Sequence, residues 1–175
     1  MPRVQLYIAQ SLDGKIAKPD GSLDWLNSFP MPEGEDFGYG SFYEGVTHLC
    51  MGRTTYQEVL SFGVDWPYTP KPVAIFTSNP NLETPTPETS VWSSGISEYL
   101  ECLPKDAIVW LVGGGSLIAD FLKNKSVDDF IITTLPRIIG AGIPLFQYDG
   151  DLQDFELDKV DTFPNGIVNS YYSRK

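Results

Sequence analysis

Apolar and polar positions alternate and then run together in VQLYIAQS near the start of the chain, so the pattern predicts a first strand ending at Ser11. The next stretch, DGKIAKPDGS, sets two Asp-Gly turns around a short hydrophobic pair and predicts a long, mobile loop. From about Glu33 to Tyr43 the periodicity is weakly helical, interrupted by Phe37, Gly40 and Tyr43. VTHLCMG is continuously apolar and predicts a buried strand. RTTYQEVL after it predicts a helix, with Thr54 or Thr55 as N-cap and Glu58 near the N3 position of a capping box.

The scheme repeats further on. Val73 to Thr77 predicts a strand, SVWSS a short strand, and GISEYLECLPKD a helix stopped by Pro104. AIVWLVGGGSLIADFLKNK reads as strand, glycines, helix, and VDDFIITTLPRIIG holds a strand ended by Pro136. In FELDKVDTFPNGIVNSYYSRK two alternating runs flank the turn signal PNG, which predicts a C-terminal antiparallel hairpin. Strands alternating with helices and closed by a hairpin make an α/β fold, with a mostly parallel central sheet and an antiparallel edge. The Pro- and Thr-rich NPNLETPTPETS reads as a loop within one domain spanning residues 1–175. With 42% hydrophobic residues the chain has enough apolar side chains for a sizeable core.

Charge narrows the partners. Twelve Lys and Arg against 23 Asp and Glu give a net charge of −11, the wrong sign for binding a nucleic-acid backbone. No run of about 18 apolar residues is present to span a bilayer, and MPRVQLYIAQSLDGK has too short an apolar run for a signal peptide. Those features predict a cytoplasmic protein with neither membrane nor nucleic-acid partners. Cys50 and Cys102 stand far apart in apolar settings and predict buried free thiols, with no metal site. His48, the lone histidine, has no partners at ligand spacing and reads as structural. Trp66, Tyr68, Tyr171 and Tyr172 read as core or subunit-contact aromatics.

In open α/β sheets ligands gather beyond the carboxyl ends of the strands, where helix N-termini meet. SLDGKIA, MGRTT, FTSN and GGGS all fall on that side. GGGS lacks the G-x-G-x-x-G spacing and an acid about 20 residues on, so alone it is either a tight turn or a phosphate cradle. Gly113, Gly114 and Gly115 do remove every Cβ at a helix start, which lets backbone N–H groups approach an anion. MGRTT is either a solvated helix start or a second anion site, in which Arg53 and the hydroxyls of Thr54 and Thr55 hold a phosphate monoester. Two such helix starts in one small domain favour a dinucleotide with an extra phosphate.

In that order, SLDGKIA, MGRTTYQE, FTSN, VGGGSLI and PRIIGAGIPLF resemble the dihydrofolate reductase superfamily, nearest the branch with the reductase domain of bifunctional riboflavin-biosynthesis proteins. The resemblance implies a central sheet of about eight strands flanked by helices, and NADPH as cofactor. Ala9, Leu12, Gly14, Lys15 and Ile16 would then border the nicotinamide and its ribose. Gly52, Arg53, Thr54 and Thr55 would hold the adenosine side with its 2′-phosphate, Thr77 and Ser78 the adenine ribose, and Gly113, Gly114, Gly115, Ser116 and Leu117 the pyrophosphate.

On the substrate side the resemblance implies a buried carboxylate that pairs with an amidine edge and assists protonation. Asp36 falls at the family spacing before Met51, with Glu33 and Glu35 as neighbours. The residues alone also allow Asp36 to be a helix N-terminal acid. Thr133 would bond that carboxylate and Val112 would touch the reacting rings, although both also read as ordinary strand residues. A ribose phosphate on the substrate calls for facing bases, and Lys15 and Arg137 are the nearby candidates. The segment KPDGSLDWLNSFPMPEGE is longer than in dihydrofolate reductases, Trp25 is displaced, Ile118 replaces an aromatic, and no second arginine stands ready for a folate tail.

The expectation is an NADPH-dependent oxidoreductase acting on a pteridine- or pyrimidine-like heterocycle, of the 5-amino-6-(5-phosphoribosylamino)uracil reductase type. The alternatives are a dihydrofolate reductase and a non-catalytic NADPH-binding module. The riboflavin-type resemblance also implies a homodimer.

Overall fold

A computed structural model describes all residues 1–175. Its strands are β1 (Arg3–Ser11), β2 (Lys15–Ala17), β3 (His48–Gly52), β4 (Val73–Phe76), β5 (Thr89–Trp92), β6 (Ile108–Gly113), β7 (Asp129–Leu135), β8 (Ile143–Pro144), β9 (Phe155–Thr162) and β10 (Val168–Arg174). The helices are α1 (Asp24–Asn27), α2 (Tyr39–Gly45), α3 (Arg53–Ser61), α4 (Ile96–Cys102) and α5 (Gly115–Lys123). Eight strands form one sheet in the order β5-β4-β3-β6-β1-β7-β10-β9, and β2 pairs with β8 in a separate small sheet. The neighbours from β5 to β7 are parallel, whereas β10 runs antiparallel to both β7 and β9. The α/β fold with an antiparallel C-terminal hairpin is therefore the one the sequence predicts.

The pattern of side chains explains the layers. Successive residues of a strand point to opposite faces, so Val4, Leu6 and Ile8 of β1 pack with Phe121, Ile118 and Leu122 of α5, while Tyr7 turns to the other face. There it joins Tyr56 and Val59 of α3 and Trp110 of β6. Tyr56 and Val59 are three residues apart and form the buried stripe of α3. Central strands buried on both faces read as continuous apolar runs, as LCM of β3 and AIVWLV before the glycines do. The hairpin turns where predicted, with Gly166 at φ +84 and its N–H bonded to the carbonyl of Phe163.

Four expectations change. Helix α2 starts only at Tyr39, because Gly38 before it adopts φ +81 and acts as the cap. The predicted start near Glu33 lies in turns instead. Helix α3 starts at Arg53 with Gly52 as N-cap and no side-chain cap bond, so Thr54 and Thr55 are inside its first turn. The stretch DGKIAKPDGS contains β2, which is pinned to β8, and Ala17 is buried there. It is thus a fastened segment. Cys50 is buried, and burial pushes its thiol pKa up, but Cys102 is exposed at the end of α4. Cys102 is the last residue of a seven-residue helix whose one buried side chain is Tyr99, and it lies with Glu98 and Glu101 among the exposed positions.

Candidate functional site

The carboxyl ends of β5, β4, β3, β6 and β1 open onto one cleft of about 1030 Å³. Of the residues expected at the cofactor or substrate, Ala9, Ile16, Gly52, Arg53, Thr54, Thr55, Thr77, Ser78, Val112, Gly114, Gly115, Ser116 and Leu117 line it. They come from the ends of β1, β3, β4 and β6 and from β2, and range along the chain from Ala9 to Leu117. Leu12, Gly14, Lys15, Gly113, Thr133 and Asp36 do not line it.

The glycine stretch meets α3 at close range. Gly113 closes β6 at φ +124, a conformation that favours glycine, and the Gly113–Gly114 peptide is cis. A Cβ on Gly114 would lie 3.3 Å from Thr55 Oγ1, and one on Gly52 would lie 3.9 Å from the Gly114 nitrogen. The starts of α3 and α5 therefore stand side by side. Neither has a side-chain cap, since Gly52 and Gly114 occupy the cap positions, so the first N–H groups of both helices remain free for a ligand. Arg53 is exposed on the cleft wall and takes part in no ion pair. Uncapped helix starts, open glycine backbone and an unpaired guanidinium are a donor set that fits the pyrophosphate and phosphate of a dinucleotide.

Beside this wall, the residues of SLDGKIA are held by Asp13. Its carboxylate accepts the Ser11 hydroxyl at 2.6 Å, the Ile139 N–H at 3.1 Å and the Gly140 N–H at 2.9 Å. The Ser11 hydrogen bond, more than the backbone donors, holds the Asp13 pKa below the ordinary carboxylate value. Ser11 Oγ in turn accepts the Lys15 N–H at 2.9 Å, and Gly14 turns at φ +71 to let β2 return toward β8. Gly142 packs so closely there that a Cβ would come 2.5 Å from the Ala17 carbonyl.

The expectation for Asp36 is corrected. Its carboxylate is exposed, outside the cleft, and accepts the N–H groups of Gly38 and Gly40 at 2.9 Å each. The Gly40 hydrogen bond leads in holding its pKa below the ordinary value. Asp36 is thus a charged cap of the turn before α2, not an enclosed acid facing a substrate. Thr133 is buried next to Ala9 and Asn169 in the sheet register, and its Oγ1 has no hydrogen-bond partner. Arg137 donates to the Trp25 carbonyl at 2.6 Å and to Ser28 Oγ at 2.9 Å, so it ties α1 down.

Sequence reasoning missed several lining residues. Ser93, Ser94 and Gly95 follow β5 just as Thr77 and Ser78 follow β4, and the rule that ligands gather at strand ends could have found them. Asp20, Leu23, Leu26, Glu58, Phe62 and Gln147 had no such signal.

A family model described as the RibD C-terminal domain matches residues 2–169. The chain belongs to the RibD C-terminal domain family. Among the relatives of this RibD-type domain is the uncharacterized protein YwjB of Bacillus subtilis (strain 168), 42% identical over 144 residues, which cover 81% of this chain and 80% of that one. A crystal structure from Shewanella sp. PV-4, of a protein assigned to riboflavin biosynthesis, superposes with a TM-score of 0.88 at 34% identity over 99% of both chains.

Two more distant structures share the fold. The Thermotoga maritima diaminohydroxyphosphoribosylaminopyrimidine deaminase/5-amino-6-(5-phosphoribosylamino)uracil reductase has a TM-score of 0.75 at 20% identity, over 99% of this chain and 57% of that one. The dihydrofolate reductase of Enterococcus faecalis complexed with NADP(H) has 0.68 at 17%, over 99% and 96%. The fold of this RibD-type domain is that of dihydrofolate reductase, and its family is one of reductase domains.

Proposed function

We propose that the chain is an NADPH-dependent reductase of a pyrimidine- or pteridine-like heterocycle, of the riboflavin-biosynthesis type. The single observation that carries this reading is the pair of uncapped helix starts at Gly52 and Gly114, adjacent in one cleft with the unpaired Arg53 as the first residue of α3. In this reading α5 receives the pyrophosphate through its first N–H groups, helped by Ser116. Arg53, Thr54 and Thr55 take the 2′-phosphate, and Thr77 and Ser78 the adenine ribose. Bound NADPH supplies a hydride from its nicotinamide.

The protein's part is positioning. Ala9, Ile16 and Val112 line the cleft where the strand ends of β1 and β6 meet β2, and they would hold the reacting rings in register and keep water away. The exposed, hydrogen-bonded Asp36 is not assigned a proton, since a carboxyl held ionised by two backbone donors is a poor acid at neutral pH.

The test is a fluorescence titration with NADPH and NADH, followed by turnover with candidate heterocycles monitored through nicotinamide absorbance. NADPH is expected to bind at least tenfold more tightly than NADH. Failure to bind either would overturn the reading, and NADPH binding without oxidation by any heterocycle would leave a binding module in its place.

A further inference from the structure

The half of the cleft that would take the substrate lies beyond β1, between the segment after β2 and the last turns of α3. The segment after β2 contributes Asp20, Leu23 and Leu26 to its lining, and α3 with the residue after it contributes Glu58 and Phe62, so Asp20 and Glu58 are its charged groups. Arg53 is the only base among all the cleft residues, and it stands at the start of α3 beside β3, whereas α1 packs through Trp25 against Leu135 of β7, on the far side of β6 and β1 in the sheet order.

The bases that chain neighbourhood brings near are engaged or turned away. Arg137 donates to the Trp25 carbonyl and Ser28 Oγ and lies over the Phe29 ring at 5.1 Å. Lys18 pairs with Asp24 at 3.6 Å, and Lys15 lies outside the lining. A phosphate dianion or a carboxylate tail in this half would lose water against leucine and phenylalanine side chains and face two carboxylates, with no cation in return.

We propose that this half of the cleft takes a flat heterocycle without a phosphate or carboxylate tail, and that the phosphoribosyl form on which the distant Thermotoga maritima enzyme is named is disfavoured here. The proposal rests on the reductase reading, and it narrows the substrate of that same site. Leu23, Leu26 and Phe62 would cover an uncharged ring or a sugar without phosphate. Asp20 and Glu58 would accept hydrogen bonds from ring amino groups or sugar hydroxyls.

The test uses the full chain saturated with NADP⁺, with two ligand pairs titrated calorimetrically. The first pair is 5-amino-6-(ribosylamino)uracil and its 5′-phosphate, and the second is a dihydropterin and dihydrofolate. The tail-less member of at least one pair is expected to bind tenfold or more tightly than its anionic counterpart. Equal or tighter binding of the anionic members, or binding of none of the four, overturns the proposal. The reductase reading has its own readout, because NADPH affinity is measured first and does not depend on these ligands.

A double variant, Asp20→Asn with Glu58→Gln, keeps the shape of both side chains and removes their charge. It is expected to narrow the discrimination several-fold. An unchanged ratio would overturn the electrostatic account.

Discussion

Arg53 carries the sharpest consequence of any side chain. It has no carboxylate partner to release on ligand binding, so in the proposed complex its whole interaction is with the 2′-phosphate. Arg53→Ala should weaken NADPH by roughly 1–3 kcal/mol, the size of a lost charge-assisted contact, and leave NADH nearly unchanged. Parallel titrations of wild type and variant decide this, and equal losses for the two cofactors would reassign the phosphate. For Asp36 the expected outcome is the reverse of a catalytic acid's. Asp36→Asn retains an oxygen that can accept one of the two glycine N–H groups, so turnover and its pH profile should be those of the wild type. A drop of a hundredfold or more in turnover would return the acid's role to it.

Among the elements, β2 and β8 form the smallest sheet yet border the proposed nicotinamide end. Gly142→Ala puts a Cβ against the Ala17 carbonyl, a backbone atom that cannot swing aside as a side chain can. The expected result is faster amide exchange at Lys15–Ala17 and weaker NADPH binding, with exchange in β1 and β7 little changed; hydrogen exchange read by mass spectrometry checks it. At this scale it is also plain what the sequence could and could not tell. The central strands and the strand-glycine-helix turns were readable, because burial on both faces leaves continuous apolar runs and a helix start needs open backbone. The wall of the cleft built from residues 52–55, Thr77, Ser78 and residues 114–117 was readable with them. The start of α2 was not, since it depends on Gly38 turning at φ +81 rather than on any periodicity, and the position of Asp36 follows from that turn. Helix α1 has four residues and leaves no periodic trace, so the cleft residues Leu23 and Leu26 stayed hidden.

For the whole molecule, electrostatics sets a pH window. Asp13, Asp36, Asp149 and Asp161 all have pKa values held below the ordinary one, chiefly by hydrogen bonds from Ser11, Gly40, Lys123 and Lys159 respectively. A lowered folded-state pKa gives stability that is complete above the unfolded value and is lost as pH falls through the folded one. Lys123 and Lys159 are raised by the same pairs, so their share is complete below their ordinary pKa and fades as pH rises through the higher folded value. The thermal midpoint should therefore be flat between about pH 7 and pH 9 and fall on both sides, with His48, whose pKa is lowered by burial, adding to the loss as pH drops below the ordinary histidine value. Circular-dichroism melts across that range check the prediction, and a midpoint rising steadily below about pH 5 would contradict it.

The order of strands has a consequence for how the chain is made. Of the ten strands β1 is synthesised first, but both of its neighbours are late: Leu6 pairs with Leu111 on one side and Phe130 on the other. Val4 and Leu6 have no partner strand until β6 has been made, at residue 113 of 175, and Ile8, which pairs with Ile132, waits for β7. β1 therefore waits unpaired during translation, and the sheet closes around it only through contacts distant in sequence, the kind that form late in folding.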